Sequence, residues 1–295
     1  MEREFLISNI PEVSAIYFAL LKCGYDYYTL EKDAALVEAI KAFSETPADF
    51  GLTFFSNVRQ DTCDAYPYWP RAAALEAATF YVDPVSVCFC DFGAYQSEIM
   101  SANNISEIER NQAFWQWVRD FPAALVDVMN SSNFKEYLSW ENGWVERQNL
   151  IRRDELSSIQ QVVDACLRNY ISPIQKVSII LNPIKCAYAA DYHIVKDEFF
   201  YCSGAFSSGS VVHEFLHHVV HPFIVKYYKA VTQLCAGYIH IPESYLMSGD
   251  ENGEVNAFEE HVVRHLTNTI IKGNIPSDLD LYIRESLGSL STRYP

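Results

Sequence analysis

Positive charge is scarce in this chain, and long apolar runs are missing. Lysine and arginine total 22 against 38 aspartates and glutamates, a formal charge of −16 over 295 residues. That balance argues against nucleic-acid binding, which needs a basic footprint, and against docking on an anionic membrane surface. No apolar segment approaches the roughly 18 residues that would span a bilayer, so no transmembrane helix is expected. The N-terminus, Met1-Glu2-Arg3-Glu4-Phe5, has acids where a secretion signal carries bases. The expected location is therefore cytoplasmic. The eight cysteines are Cys23, Cys63, Cys88, Cys90, Cys166, Cys186, Cys202 and Cys235, and they form no Cys-x-x-Cys pair. Neither a zinc ribbon nor a thioredoxin-like site is expected. Reduced and mostly buried thiols are. Internal repeats and low-complexity tracts are also lacking.

What is present is enough apolar material for a large core. Hydrophobic residues make up 49% and aromatics 14% of the chain, which excludes a disordered protein. Residues 1–170 read as mainly helical, with segments at Glu12–Cys23, Glu31–Phe43, Arg71–Phe80, Ser106–Asn130 (broken at Pro122), Asn133–Asn149 and Glu155–Tyr170. Tyr81–Cys90 reads as a strand. Trp115, Trp117, Trp140 and Trp144 sit at helical spacing, where aromatics belong to the core. Character changes near Ile171–Pro173. Lys176–Asn182 is β-branched and reads as a strand, with further strands expected at Ala187–Ala190 and Glu198–Cys202. The expected fold class is α+β and predominantly helical, with residues 171–295 forming a second region around a small sheet.

Residues 213–217 read His-Glu-Phe-Leu-His. On a helix, His213 and His217 leave one face a turn apart, so two imidazoles can converge on one metal ion. Glu214 is placed to reach a water on that metal rather than the metal itself. Two histidines with an adjacent carboxylate base is the arrangement of a zinc-dependent peptidase. The flanking Val211, Val212, Phe215, Leu216, Val219 and Val220 make the helix apolar almost all round, hence internal. Buried histidines and a glutamate need partners, and a hydrated metal supplies them.

A catalytic zinc usually takes three protein ligands. His221 lies too far along the helix from His213 to share an ion, about 12 Å of rise, so His218 and His221 are expected to pack or to support. Glu254–Ile271 is a better source, with Val255, Phe258, Val262, Leu266 and Ile270 at helical spacing. Both Glu259 and Glu260 lie in it. The helical wheel turns Glu259 nearer the apolar stripe and Glu260 to one side.

This pair of segments resembles the gluzincin metallopeptidases, in which a His-Glu-x-x-His helix is followed by a helix carrying a glutamate ligand. It is more similar still to a group of bacterial metallopeptidase-like families of unknown function. They share His-Glu-Phe-x-His followed by Pro (here Pro222) and a later Glu-x-Leu/Val-Val-Arg run (here Glu260, His261, Val262, Val263 and Arg264). The resemblance implies zinc held by His213, His217 and Glu260, with Glu214 as general base toward a zinc-activated water. It also implies a zincin-like second half whose sheet edge holds a peptide or protein substrate. Candidates for stabilising the oxyanion are Tyr238, Tyr245, His261 and Arg264, although Arg264 could pair with Glu260 or Glu259 instead. Asn256 and Glu254 are candidates for holding a histidine ligand by its distal N–H. The competing expectations are a zinc-binding protein or other zinc hydrolase without peptidase activity, and a non-enzymatic helical interaction protein. Oligomeric state is left open.

Overall fold

The apolar residues of 11–22 wind into helix α1 (Pro11–Lys22), with proline at its first position, where no backbone donor is needed. In this computed structural model residues 5–25, 33–60, 71–101, 112–187, 190–235 and 253–293 are described. Helix α2 (Ala34–Glu45) starts at Asp33, whose carboxylate accepts the Leu36 N–H. A short turn α3 (Thr53–Ser56) precedes the Ala-rich α4 (Arg71–Thr79) and α5 (Phe92–Ser101). Then come α6 (Gln112–Val118), α7 (Phe121–Asn130), α8 (Ser132–Ile151) and α9 (Arg153–Asn169). Among the described residues no helix is long and apolar enough to cross a membrane.

Two local expectations change. Tyr81–Cys90 is not one strand but a hairpin of β2 (Val82–Asp83) and β3 (Cys88–Phe89). The Asp83 carboxylate accepts from the Val85 N–H and the Ser86 hydroxyl, which turns the chain over Pro84 and leaves Val87 at φ 53°. The break expected at Pro122 falls instead at Arg119–Asp120. Pro122 lies in the first turn of α7, a position that tolerates its missing N–H.

The main sheet is mixed and has four strands in the order β1-β4-β6-β5. β1 (Ile7–Ser8) runs parallel to β4 (Lys176–Leu181), which runs parallel to β6 (Glu198–Ser203). β5 (Asp191–Val195) closes the other edge antiparallel to β6. The strand expected at Ala187–Ala190 thus begins at Asp191; Tyr188 and Ala189 lie outside the described residues. A two-residue turn, with Lys196 at φ 60°, pairs Val195 with Glu198 and so sets where β5 lies. On the outer side of β1, the Asn149 side chain accepts the Ile7 N–H and donates to the Ile7 carbonyl, both at 2.8 Å.

Residues of β4 and β6 alternate between the two faces of the sheet. Val177, Ile179, Leu181, Phe199 and Tyr201 join one apolar core with α9, α10 (Ser208–Lys226) and the helix Gly253–Ile271. A second core is built by α1, α4, α5, α6, α7 and the first half of α8. Phe134 and Tyr137 of α8 belong to the second core, and Trp144 and Val145 to the first. The two cores therefore part within α8, upstream of the boundary expected at residue 170. Trp144 is buried, and Trp115, Trp117 and Trp140 pack against core residues, as their spacing predicts. The thiols are less buried than expected. Cys166 and Cys202 are buried, Cys23 and Cys186 intermediate, and Cys88 and Cys90 exposed on the hairpin.

Candidate metal centre

Ser207 starts α10 by accepting the Ser210 N–H on its hydroxyl. The helix then buries Val211, Val212, Phe215, Leu216, Val219, Val220 and Ile224. It continues through Pro222 to Lys226, further than Val220, where the sequence pattern ends. This fixes the direction of the remaining stripe. His213 and His217 present their Nε2 atoms to each other at 3.2 Å.

The helix Gly253–Ile271 packs along α10 and brings both glutamates to this stripe. Glu260 Oε2 lies 3.1 Å from His217 Nε2 and 3.4 Å from His213 Nε2. Ligands about 2.0–2.1 Å from a tetrahedral zinc stand about 3.3 Å from one another. The three separations match that edge. They also place acceptor-type atoms face to face, which requires something positive between them. Glu259 sharpens this requirement. Its Oε1 lies 2.9 Å from His217 Nδ1, and its Oε2 lies 2.8 Å from His221 Nδ1. A His217 proton committed to Glu259 leaves Nε2 as a lone pair aimed at the Glu260 carboxylate.

The charges agree. Burial lowers the His217 pKa, but the bonds to Glu259 and Glu260 outweigh it and raise the ring to about 10. Burial would raise Glu260, yet His213 and His217 hold its carboxyl well below the usual carboxylate range. Glu259 is likewise depressed by His217 and His221, against its burial. A proton on Nε2 meets the same need in the metal-free chain, and metal binding must release it. Glu214 lies outside the three-atom cluster. Burial pushes its carboxyl up to about 8, with the positive charge of His217 opposing.

The remaining expectations divide. His221 supports the site through Glu259, and His218 Nε2 bonds the Ser172 hydroxyl at 2.8 Å. Arg264 is committed to Glu260: its Nε and Nη2 reach Oε1 at 2.7 and 2.6 Å. Of the two pairings expected for Arg264 on this helix, the one with Glu260 forms, because the i, i+4 spacing brings the two together. His261 packs its ring on His265, centroids 4.2 Å apart. Tyr238 and Tyr245 lie outside the described residues, as do Cys63 and the side chains of Cys235 and Glu254. The distal nitrogen of His217 is held by Glu259.

Sequence reasoning did not single out Tyr192, whose ring lies parallel to His217 (12° between planes, centroids 6.4 Å) and to Phe199 (14°, 5.3 Å). It also missed a buried ionic cluster on the opposite face of the sheet, where Lys185 Nζ meets both oxygens of Glu76 and one of Asp191 at 2.8 Å. A lone lysine inside the apolar stretch Leu181–Ala187, and a lone glutamate in the Ala-rich α4, were the available signals. Compared with family models, with curated proteins and with solved structures, the chain has no match.

Proposed function

We propose that this chain is a zinc-dependent peptidase whose helix pair works as in the gluzincins, with zinc held by His213, His217 and Glu260. The observation that carries this reading is the triangle of Nε2, Nε2 and Oε2 atoms at the edge length of a tetrahedral zinc, with Glu259 fixing the tautomer of one ring. Zinc in that position would lower the pKa of a bound water toward neutrality and polarise a substrate carbonyl.

The chain's own groups then have separate tasks. Glu214 takes a proton from the attacking water and returns it to the leaving amine. Burial raises its pKa in the metal-free chain, and a nearby dication would lower it toward the ionised form that a base needs. Glu259 orients His217 and strengthens it as a ligand. Arg264 steadies Glu260 from the solvent side, since 61% of its side chain is exposed. The edge strand β5 lies beside α10, and among the described residues its outer edge has no strand partner, which suits it to pairing with an extended peptide.

Metal analysis of the purified chain tests the reading. We expect one zinc per chain, lost in His213→Ala, together with hydrolysis of a peptide library. Zinc without hydrolysis of any peptide would leave a metal-binding protein or another hydrolase. No zinc at all would leave a non-enzymatic helical protein.

A further inference from the structure

The face of the sheet turned away from α10 carries an ionic layer sealed from solvent. Lys185, Glu76, Asp191 and His193 are all buried. His193 Nε2 lies 3.0 Å from Glu76 Oε1, and His193 Nδ1 lies 3.1 Å from Glu98 Oε1. The Tyr17 hydroxyl donates to Glu76 Oε2 at 2.8 Å. The four buried charges cancel only when His193 is protonated. Its neighbours favour that state: burial lowers the ring, but Glu76 and Glu98 overcome it and raise it to about 9. Glu76, His193 and Cys202 stand close enough to share a metal. However, the Lys185 ammonium already holds both Glu76 oxygens, so the cation of this layer is a lysine.

The layer joins two parts of the chain. Tyr17, Glu76 and Glu98 come from α1, α4 and α5 of the N-terminal core. Asp191 and His193 come from β5, the edge strand nearest the candidate metal centre. An edge strand has ladder bonds on one side only, and among the described residues those of β5 go to β6. Successive side chains of a strand alternate. Asp191 and His193 therefore point into the layer, and Tyr192 between them points to the other face, where its ring lies against His217.

We infer that the N-terminal helical core serves the metal site through β5: Glu76 and Lys185 hold Asp191 and His193, and that grip sets where Tyr192 flanks His217. His193 and Asp191 are positioning residues in this scheme, because they act through Tyr192 and touch neither metal nor substrate. The inference rests on the zinc reading for its functional half only.

Zinc affinity and amide hydrogen exchange of the full chain test it, comparing the parent with His193→Phe, Tyr192→Ala and the double variant. Phenylalanine keeps an aromatic ring beside Phe80, 4.9 Å from the His193 ring, and removes the second positive charge of the layer. It leaves Glu76 bonded to Lys185 and Tyr17. In His193→Phe we expect amides 191–195 to exchange at least about tenfold faster than those of β4, with zinc affinity down about tenfold, as for other residues supporting a ligand. The double variant should bind zinc no more weakly than Tyr192→Ala alone. Uniformly faster exchange across the sheet, an unchanged zinc affinity, or losses that simply add would each overturn the inference. Should His193→Phe fail to fold, Asp191→Asn, which keeps an acceptor for Lys185, decides by the same measurements. A parent chain that takes up no zinc overturns the proposed function and the link to His217, while the exchange result still decides whether the grip on β5 exists.

Discussion

Glu259 and His217 form a 2.9 Å Oε1–Nδ1 pair that turns the opposite nitrogen of the same ring toward Glu260. Two adjacent acids on one helix thus do different work on one histidine. Glu259 holds the ring at Nδ1, and Glu260 faces its Nε2.

That division predicts different losses. On the zinc reading, Glu260→Ala removes the proposed third ligand and should abolish stoichiometric zinc. Glu259→Gln keeps an acceptor but loses the charge, and should weaken zinc about 10- to 100-fold without abolishing it. Competition against a chelator of known affinity separates the two. Zinc retained in Glu260→Ala but lost in Glu259→Ala would exchange the roles assigned here.

Glu214→Gln should leave zinc uptake unchanged and lower the rate of peptide hydrolysis by about 100-fold or more. Side-by-side metal content and turnover measure this. Full activity with zinc retained would remove Glu214 as the base.

The helices and the site were legible to different degrees. The stripe from Val211 to Val220 announced an internal α10, and β-branched residues announced β4. The acids were harder. A helical wheel gives an angle to the core, and Glu259 is indeed the more buried, at 7% side-chain exposure against 17% for Glu260. It says nothing about which oxygen meets which ring nitrogen, because that depends on how α10 crosses the second helix. β5 was expected too early, at Ala187–Ala190, because Asp191-Tyr192-His193 has no apolar alternation: both its faces are occupied, one by ions and one by a ring. Glu76 and Lys185 are distant in sequence, and a long-range charge pair has no local signature.

Stability should depend on pH through His193. Its folded pKa of about 9 exceeds the ordinary 6.5. A raised histidine contributes fully below pH 6.5 and loses that contribution as pH climbs through 9. The span corresponds to at most on the order of 3 kcal/mol. Thermal unfolding in chelator should show the parent losing more stability than His193→Phe between pH 6.5 and 9.5. Equal slopes would mean that His193 carries no excess proton in the folded chain.

Removing metal offers a separate check. A chelator should lower the melting temperature of the parent but not of His213→Ala, because a ligand that binds only the folded chain stabilises it by mass action.

Gly204 follows β6 where the chain crosses the segment after β4. A Cβ there would lie 1.9 Å from the Lys185 carbonyl oxygen and 2.7 Å from the Cys186 carbonyl carbon. Backbone cannot retreat as a side-chain tip can. Gly204→Ala should therefore cost about 3 kcal/mol or more and displace the Lys185 ammonium from its partners. Denaturant unfolding measures the loss. A variant within about 0.5 kcal/mol of the parent would show that this crossing yields easily.

The pairing of Ile7 with Ile179 has a consequence for the order in which the molecule is made. Asn149 can cover one side of Ile7 only after α8 has left the ribosome, and the other side finds its partner only when β4 follows. This strand is thus translated long before either of its partners and is secured late. During that interval Phe5 and Ile7, both buried in the finished fold, have no core to enter. The nascent chain has to carry them uncovered through the synthesis of the N-terminal helical core.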